Sequence, residues 1–238
     1  FEESPCGRTI WVHNDMVDEI RTKGNQNIHL LREAYQKYDH IVTVSDDILD
    51  STIHGIGADP ARVTVINNCH DYQNVIKRSE EPLVFQETTK STVSVDQLSA
   101  VLSGNDTKFI SIGRYSPEKG HVRLMNAFNT YRASHPDTWL IIIGGVGTLY
   151  EDAVAHAKSL AASDHIILIY SMQNPMPVLK NCDLFLLSSF YEGRPIVLME
   201  AASLGLPLMA CDVNGCHGFM TEYQEIGRAS CRERVEIS

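Results

Sequence analysis

The sequence has no excess of basic charge, no paired-cysteine motif and no long apolar run. Its 238 residues hold 30 Asp and Glu against 20 Lys and Arg, a formal net charge of −10. Nucleic-acid binding leans on basic patches. No nucleic-acid partner is therefore expected, and any bound anion must be held by local groups. The six cysteines, at 6, 69, 182, 211, 216 and 231, form no C-x-x-C pair. A chain of this length does not need disulfide staples, so they read as free thiols in a reducing cytoplasm. No apolar stretch reaches the roughly 18 residues of a membrane span. The first residues, Phe1-Glu2-Glu3, lack the basic start and apolar stretch of a signal peptide.

An initial Met is also missing, and the strand-like Thr9-Ile10-Trp11-Val12 follows almost at once. The chain reads as one entered midway. Residues 225–238 show neither helical nor strand period and resemble a translated sequencing adapter. They are read as a non-native tail and set aside.

What is present is a regular alternation. Apolar strands are expected at 9–12, 40–44, 63–66, 108–113, 139–143, 165–170, 184–187 and 206–210. Helices are expected between them, at about 27–37, 46–54, 174–180 and 196–204 among others. Such alternation predicts α/β units with parallel sheets, whose ligands bind at the carboxyl ends of the strands. Between 72 and 107 the period is lost, and this stretch reads as a connection between two units. One helix is expected to open at Ser116-Pro117, with Val122, Met125, Phe128 and Tyr131 as its apolar stripe.

Two segments carry chemistry. In Glu192-Gly-Arg-Pro-Ile-Val-Leu-Met-Glu200, the first glutamate follows a strand and the second lies on a helix. Glu192 and Gly193 would face sugar hydroxyls. The first-turn amides of Ile196 and Val197 would hold a phosphate, and Glu200 would reach a ribose diol. In Gly113-Arg114-Tyr-Ser-Pro-Glu-Lys119-Gly120, two cations flank a helix start, where a cation is unfavourable unless an anion joins it. Gly144-Gly145-Val146-Gly147 lacks the third glycine of a dinucleotide site and follows the second strand of its unit, so that reading is rejected. No metal-ligand cluster is evident.

Together these segments resemble the retaining glycosyltransferases of family 4, in their Gly-Arg-x4-Lys-Gly and Glu-x7-Glu motifs, over residues 9–222. The resemblance implies a GT-B fold of two Rossmann-like parallel-sheet domains. Residues 1–71 would end the acceptor domain, 72–107 would connect, and 108–224 would bind the donor. It also implies a nucleoside-diphosphate sugar, foremost a UDP-sugar, as donor, with metal-independent transfer to an acceptor hydroxyl. The acceptor would be a glycan, a lipid-linked glycan or a polymer. Cell-surface polysaccharide or cell-wall polymer synthesis is the expected setting, in the cytoplasm, with peripheral membrane association through other segments left open. Arg114 and Lys119 would hold the diphosphate. Glu192 and His13 would stand at the reaction centre.

Three departures from the family pattern stand out. Asn67 and Cys69 replace Pro and Gly before Asp71, Arg194-Pro195 follow Glu-Gly, and Cys216-His217 replace Pro-Arg. The last two leave open a non-catalytic nucleotide-binding module, and the resemblance itself leaves open a part of a larger teichoic-acid-type (CDP-glycerol linked) polymer enzyme.

Overall fold

The computed structural model describes residues 6–23, 27–87, 89–145 and 147–222. The proposed tail, 225–238, lies outside them. Two parallel sheets organise these residues. The first has the order β1-β2-β3, built from β1 (Thr9–Val12), β2 (His40–Thr43) and β3 (Val63–Val65). Helices α1 (Met16–Lys23) and α2 (Ile28–Gln36) join its first two strands. Asp15 caps α1, its Oδ1 accepting from the amides of Val17 and Asp18 at 3.0 and 3.1 Å. Its core gathers Val12, Tyr35, Ile41, Val44 and Ile48. The expected helix at 46–54 is irregular, beginning as a 3-10 turn and ending as a π turn at Ser51–Gly55.

The stretch after β3 is not structureless. Helix α3 (Tyr72–Ser79) is capped by Asp71, whose Oδ1 accepts from the Asn74 amide at 3.0 Å. Helix α4 (Val95–Ser103) starts with a capping box between Ser94 and Gln97, which satisfies two otherwise orphaned amides. Between them, Ser91 forms an antiparallel bridge to Ile169, so residues 90–92 line the edge of the second sheet.

That second sheet runs β6-β5-β4-β7-β8, all parallel. Its strands are β4 (Thr107–Ile112), β5 (Thr138–Ile143), β6 (Ile166–Ile169), β7 (Leu184–Leu187) and β8 (Leu208–Ala210). Leu140 to Ile143 and Ile166 to Ile169 are buried on both faces, as a helix-covered parallel sheet requires. Helices α5 (His121–Arg132) and α6 (Tyr150–Ser159) cover one face, and α7 (Met176–Lys180), α8 (Ile196–Ser203) and α3 the other. A last helix, α9 (His217–Glu222), follows β8.

Helix α5 begins later than the Ser116-Pro117 signal suggested. Pro117–Lys119 form a 3-10 turn, Gly120 adopts φ 64°, and the helix opens at His121. Ser116 makes no side-chain cap; its hydroxyl instead donates to Glu118 Oε1 at 2.6 Å. The buried stripe is correspondingly His121, Leu124, Met125 and Phe128, with Val122 and Tyr131 exposed.

Strand order reverses beside β4, where the first crossovers leave toward β5 and the later ones toward β7. A crevice opens at such a switch point, at the carboxyl ends of the strands. The loop 113–120 follows β4 and the loop 188–195 follows β7, so both chemical segments meet there.

Candidate active site at the switch point

Lys119 and Glu192 come together across this crevice. Lys119 Nζ lies 2.7 Å from Glu192 Oε1, and Ser189 Oγ donates to the same oxygen at 2.6 Å. Glu192 is 5% exposed; a carboxylate so deep needs such partners. The backbone brings the loops close by design. Gly120 sits against the Ser188 carbonyl, where any Cβ would overlap it. Ser188 Oγ donates to the Lys119 carbonyl at 2.8 Å. Arg123 on α5 donates to the Ser188 carbonyl and stacks on Phe190, 4.2 Å from its ring centre.

Arg114 is placed differently from Lys119. Its guanidinium donates to Glu118 Oε1 at 3.0 Å, a carboxylate that is itself buried. The two cations expected to form a bare clamp thus each hold a carboxylate. His121 fixes the turn that carries Arg114. Its Nε2 bonds the carbonyls of Gly113 and Arg114, both at 3.0 Å, so this nitrogen carries the proton. Burial lowers the His121 pKa below the ordinary histidine value.

Ile196 and Val197 occupy the first turn of α8, with Pro195 as N-cap. Such amides have no intrahelical acceptor, and Ile196 is exposed. Glu200 lies one turn on, half-buried. Burial raises its pKa, with Arg78 acting against that rise. Among the described residues no hydrogen bond or ion pair engages Glu200. Tyr191 is buried in the same loop, and burial with neighbouring carboxylates pushes its hydroxyl up to about 12.

His13 directly follows β1 on the other unit. Its ring is exposed and stacks on Trp11. Its backbone carbonyl presses on Gly193, leaving no room there for a Cβ. Further contacts join the units. Ser45 Oγ donates to the Gly193 carbonyl at 2.8 Å, Asn214 Nδ2 to Asp15 Oδ2 at 2.8 Å, and the Gly218 amide to Asp47 Oδ2 at 2.9 Å.

Sequence reading missed Glu118, Ser189, His121 and the Ser45 contact. Only Glu118 left a signal, four residues from Arg114. The glycines at 144 and 147 have a packing reason: both lie against Tyr115, one on its ring and one on its backbone. Cys216 is buried in the core and His217 is exposed on Asp212 at 3.1 Å. Among the described residues Cys69, Cys182 and Cys216 are free thiols, and no described helix is long and apolar enough to cross a membrane.

Two Rossmann-like parallel units, with two polar loops meeting at a switch point, define a GT-B fold. The chain belongs to the glycosyl transferases group 1, whose family model matches residues 96–228. An uncharacterized glycosyltransferase of Methanocaldococcus jannaschii, MJ1059, is 26% identical over 208 residues, covering 85% of this chain and 47% of the relative. The N-acetylgalactosamine-N,N'-diacetylbacillosaminyl-diphospho-undecaprenol 4-alpha-N-acetylgalactosaminyltransferase of Campylobacter jejuni is 24% identical over 187 residues, 78% of this chain and 45% of that protein. The chain thus spans about half the length of the curated relatives it matches. Among solved structures, S. aureus TarM with fondaparinux, alpha-GlcNAc-glycerol and UDP superposes with a TM-score of 0.69 at 15% identity, over 90% of this chain and 38% of that one. Anabaena HepE with UDP-glucose gives 0.66 at 18% identity, over 88% and 54%.

Proposed function

We propose that this protein transfers a glycosyl group, with retained configuration, from a nucleoside-diphosphate sugar to an acceptor hydroxyl. The observation that carries the reading is the meeting of Lys119, Glu192 and the α8 amides at one sheet switch point. The diphosphate would draw Lys119 away from Glu192 and lie over the amides of Ile196 and Val197, with Arg114 alongside. That set stabilises the charge growing on the leaving diphosphate, and removing one such donor typically costs about 10²-fold in rate. Glu192, released from Lys119, would accept from sugar hydroxyls beside Gly193. Glu200 would accept from the ribose diol. His13 would stand across from the sugar, on the acceptor-side unit.

Solved neighbours holding UDP and UDP-glucose support a UDP-sugar as donor. The Campylobacter relative, named for a diphospho-undecaprenol glycan, supports a lipid-linked glycan as acceptor, and a Vi polysaccharide biosynthesis protein of Salmonella typhi, 25% identical over 165 residues, supports polysaccharide synthesis as setting. Protein cations and amides carry the diphosphate in this reading, and no metal is required. A thermal-shift panel of UDP, GDP, ADP and CDP tests it, with Lys119→Ala as control. Ligand at 100 times Kd stabilises by about 2.7 kcal/mol. A shift with one nucleotide, abolished in the variant, supports the donor site and names the base. Absence of any shift sinks it, and binding without turnover favours a non-catalytic module.

A further inference from the structure

Two departures from the family pattern lie 127 residues apart in sequence and touch in the fold. Arg194 Nη1 donates to Asn67 Oδ1 at 3.1 Å. In return, Asn68 Nδ2 donates to the Arg194 carbonyl at 3.1 Å. One residue earlier, Ser45 holds the Gly193 carbonyl. Two successive carbonyls of the loop after Glu192 are therefore gripped by side chains of the three-stranded unit and its exit. Pro195 then sets the start of α8 with its fixed φ of −71°.

Arg194 is 9% exposed, and a buried cation is costly to strand without partners. A proline at 67 would have no side-chain acceptor to offer it; Asn67 has one. The unusual residue on each side thus suits the other.

We propose that Arg194 is a positioning residue. Through Asn67 it fixes the loop 193–195, and with it the Glu192 carboxylate and the first-turn amides of α8, against the acceptor-side unit. The inference rests on the donor-transfer reading of this site. It assigns Arg194 to loop geometry and not to a charged group on donor or acceptor.

Asn67 is exposed, so its replacement spares the core and makes the test on folded protein. Asn67→Ala is expected to lower kcat about tenfold with donor KM changed less than twofold, as misplacement of bound substrate does. Asn67→Asp, which keeps an acceptor, restores kcat. Arg194→Leu combined with Asn67→Ala is no worse than Arg194→Leu alone. Amide exchange at 193, 194, 196 and 197 quickens in Asn67→Ala and not in Asn67→Asp. Unchanged kcat and exchange in Asn67→Ala overturn the proposal. So does a raised KM for donor or acceptor in Arg194→Leu while Asn67→Ala stays silent, which would make Arg194 a reader of ligand charge. If the wild-type protein turns over no nucleoside-diphosphate sugar, the transfer reading fails. Exchange at the same four amides then still decides whether the clasp holds the loop.

Discussion

Lys119 and Glu192, 73 residues apart, form an ion pair of 2.7 Å on the carboxyl side of the five-stranded sheet, with Ser189 on the same carboxylate oxygen. Both belong to the proposed donor site, and each is a partner of the other. The pair therefore links the stability of the free protein to its activity. Lys119→Ala leaves Glu192 buried with Ser189 alone. It should lose about 1–3 kcal/mol of stability, the cost of stranding a buried polar group, and about 10²-fold in turnover. Lys119→Met with Glu192→Gln should regain most of the thermal midpoint and none of the turnover. Recovery of both together would remove these residues from the chemistry.

Glu200 predicts the opposite trade. Burial raises its pKa, so the folded state resists its charge and loses stability as pH rises from its ordinary value through the raised one. Glu200→Gln should raise the thermal midpoint at pH 7.5 and weaken UDP binding. Calorimetry of nucleotide binding and a melting scan, run on one preparation, check both halves. Unchanged nucleotide affinity would refute the ribose assignment.

His121 supplies a pH signature of the other sign. Its pKa is lowered by burial, as are those of His70 and His165. The folded protein keeps these rings neutral while the unfolded chain protonates them near the ordinary value of about 6.5. Their contribution is fully present above that value and falls as pH drops toward the lowered folded values. Urea midpoints at pH 7.5 and 5.5 should differ less in His121→Gln than in the wild type. An equal difference would show that His121 is not among the groups responsible.

Gly193 predicts a steric failure. A Cβ there would overlap the His13 carbonyl oxygen, so Gly193→Ala must push the two units apart or distort the loop. Turnover should fall by more than tenfold while each unit keeps its own core. Circular dichroism like that of the wild type, with turnover lost, is the expected combination. Wild-type turnover would show that the loop has room to spare.

Much of the fold was legible because buried parallel strands are continuous apolar runs, as at Leu140-Ile141-Ile142-Ile143. Helices α3 and α4 were not, although Asp71 and the Ser94–Gln97 capping box mark their starts. Turn-rich residues between them masked two short periodic stretches. The start of α5 was misplaced because Ser116-Pro117 is a good helix signal that here opens only a 3-10 turn; Gly120 at φ 64° breaks the path before His121. At the candidate site, types and spacing picked out Arg114, Lys119, Glu192 and Glu200, but not their partners. Local pairs such as Arg114 with Glu118 follow from helical spacing. Pairs such as Lys119 with Glu192, or Ser45 with Gly193, depend on how strands are ordered and units face one another, which one chain's residue pattern does not encode locally.

The packing of α3 on α7 and α8 has a mechanical consequence. That helix rides with the five-stranded sheet, although it follows directly from the three-stranded unit. Only residues 66–71 span the gap between β3 and α3. Any swing of one unit relative to the other concentrates its torsion in those six residues on this strand of chain, and Asn67 and Asn68 sit on that axle as its brake.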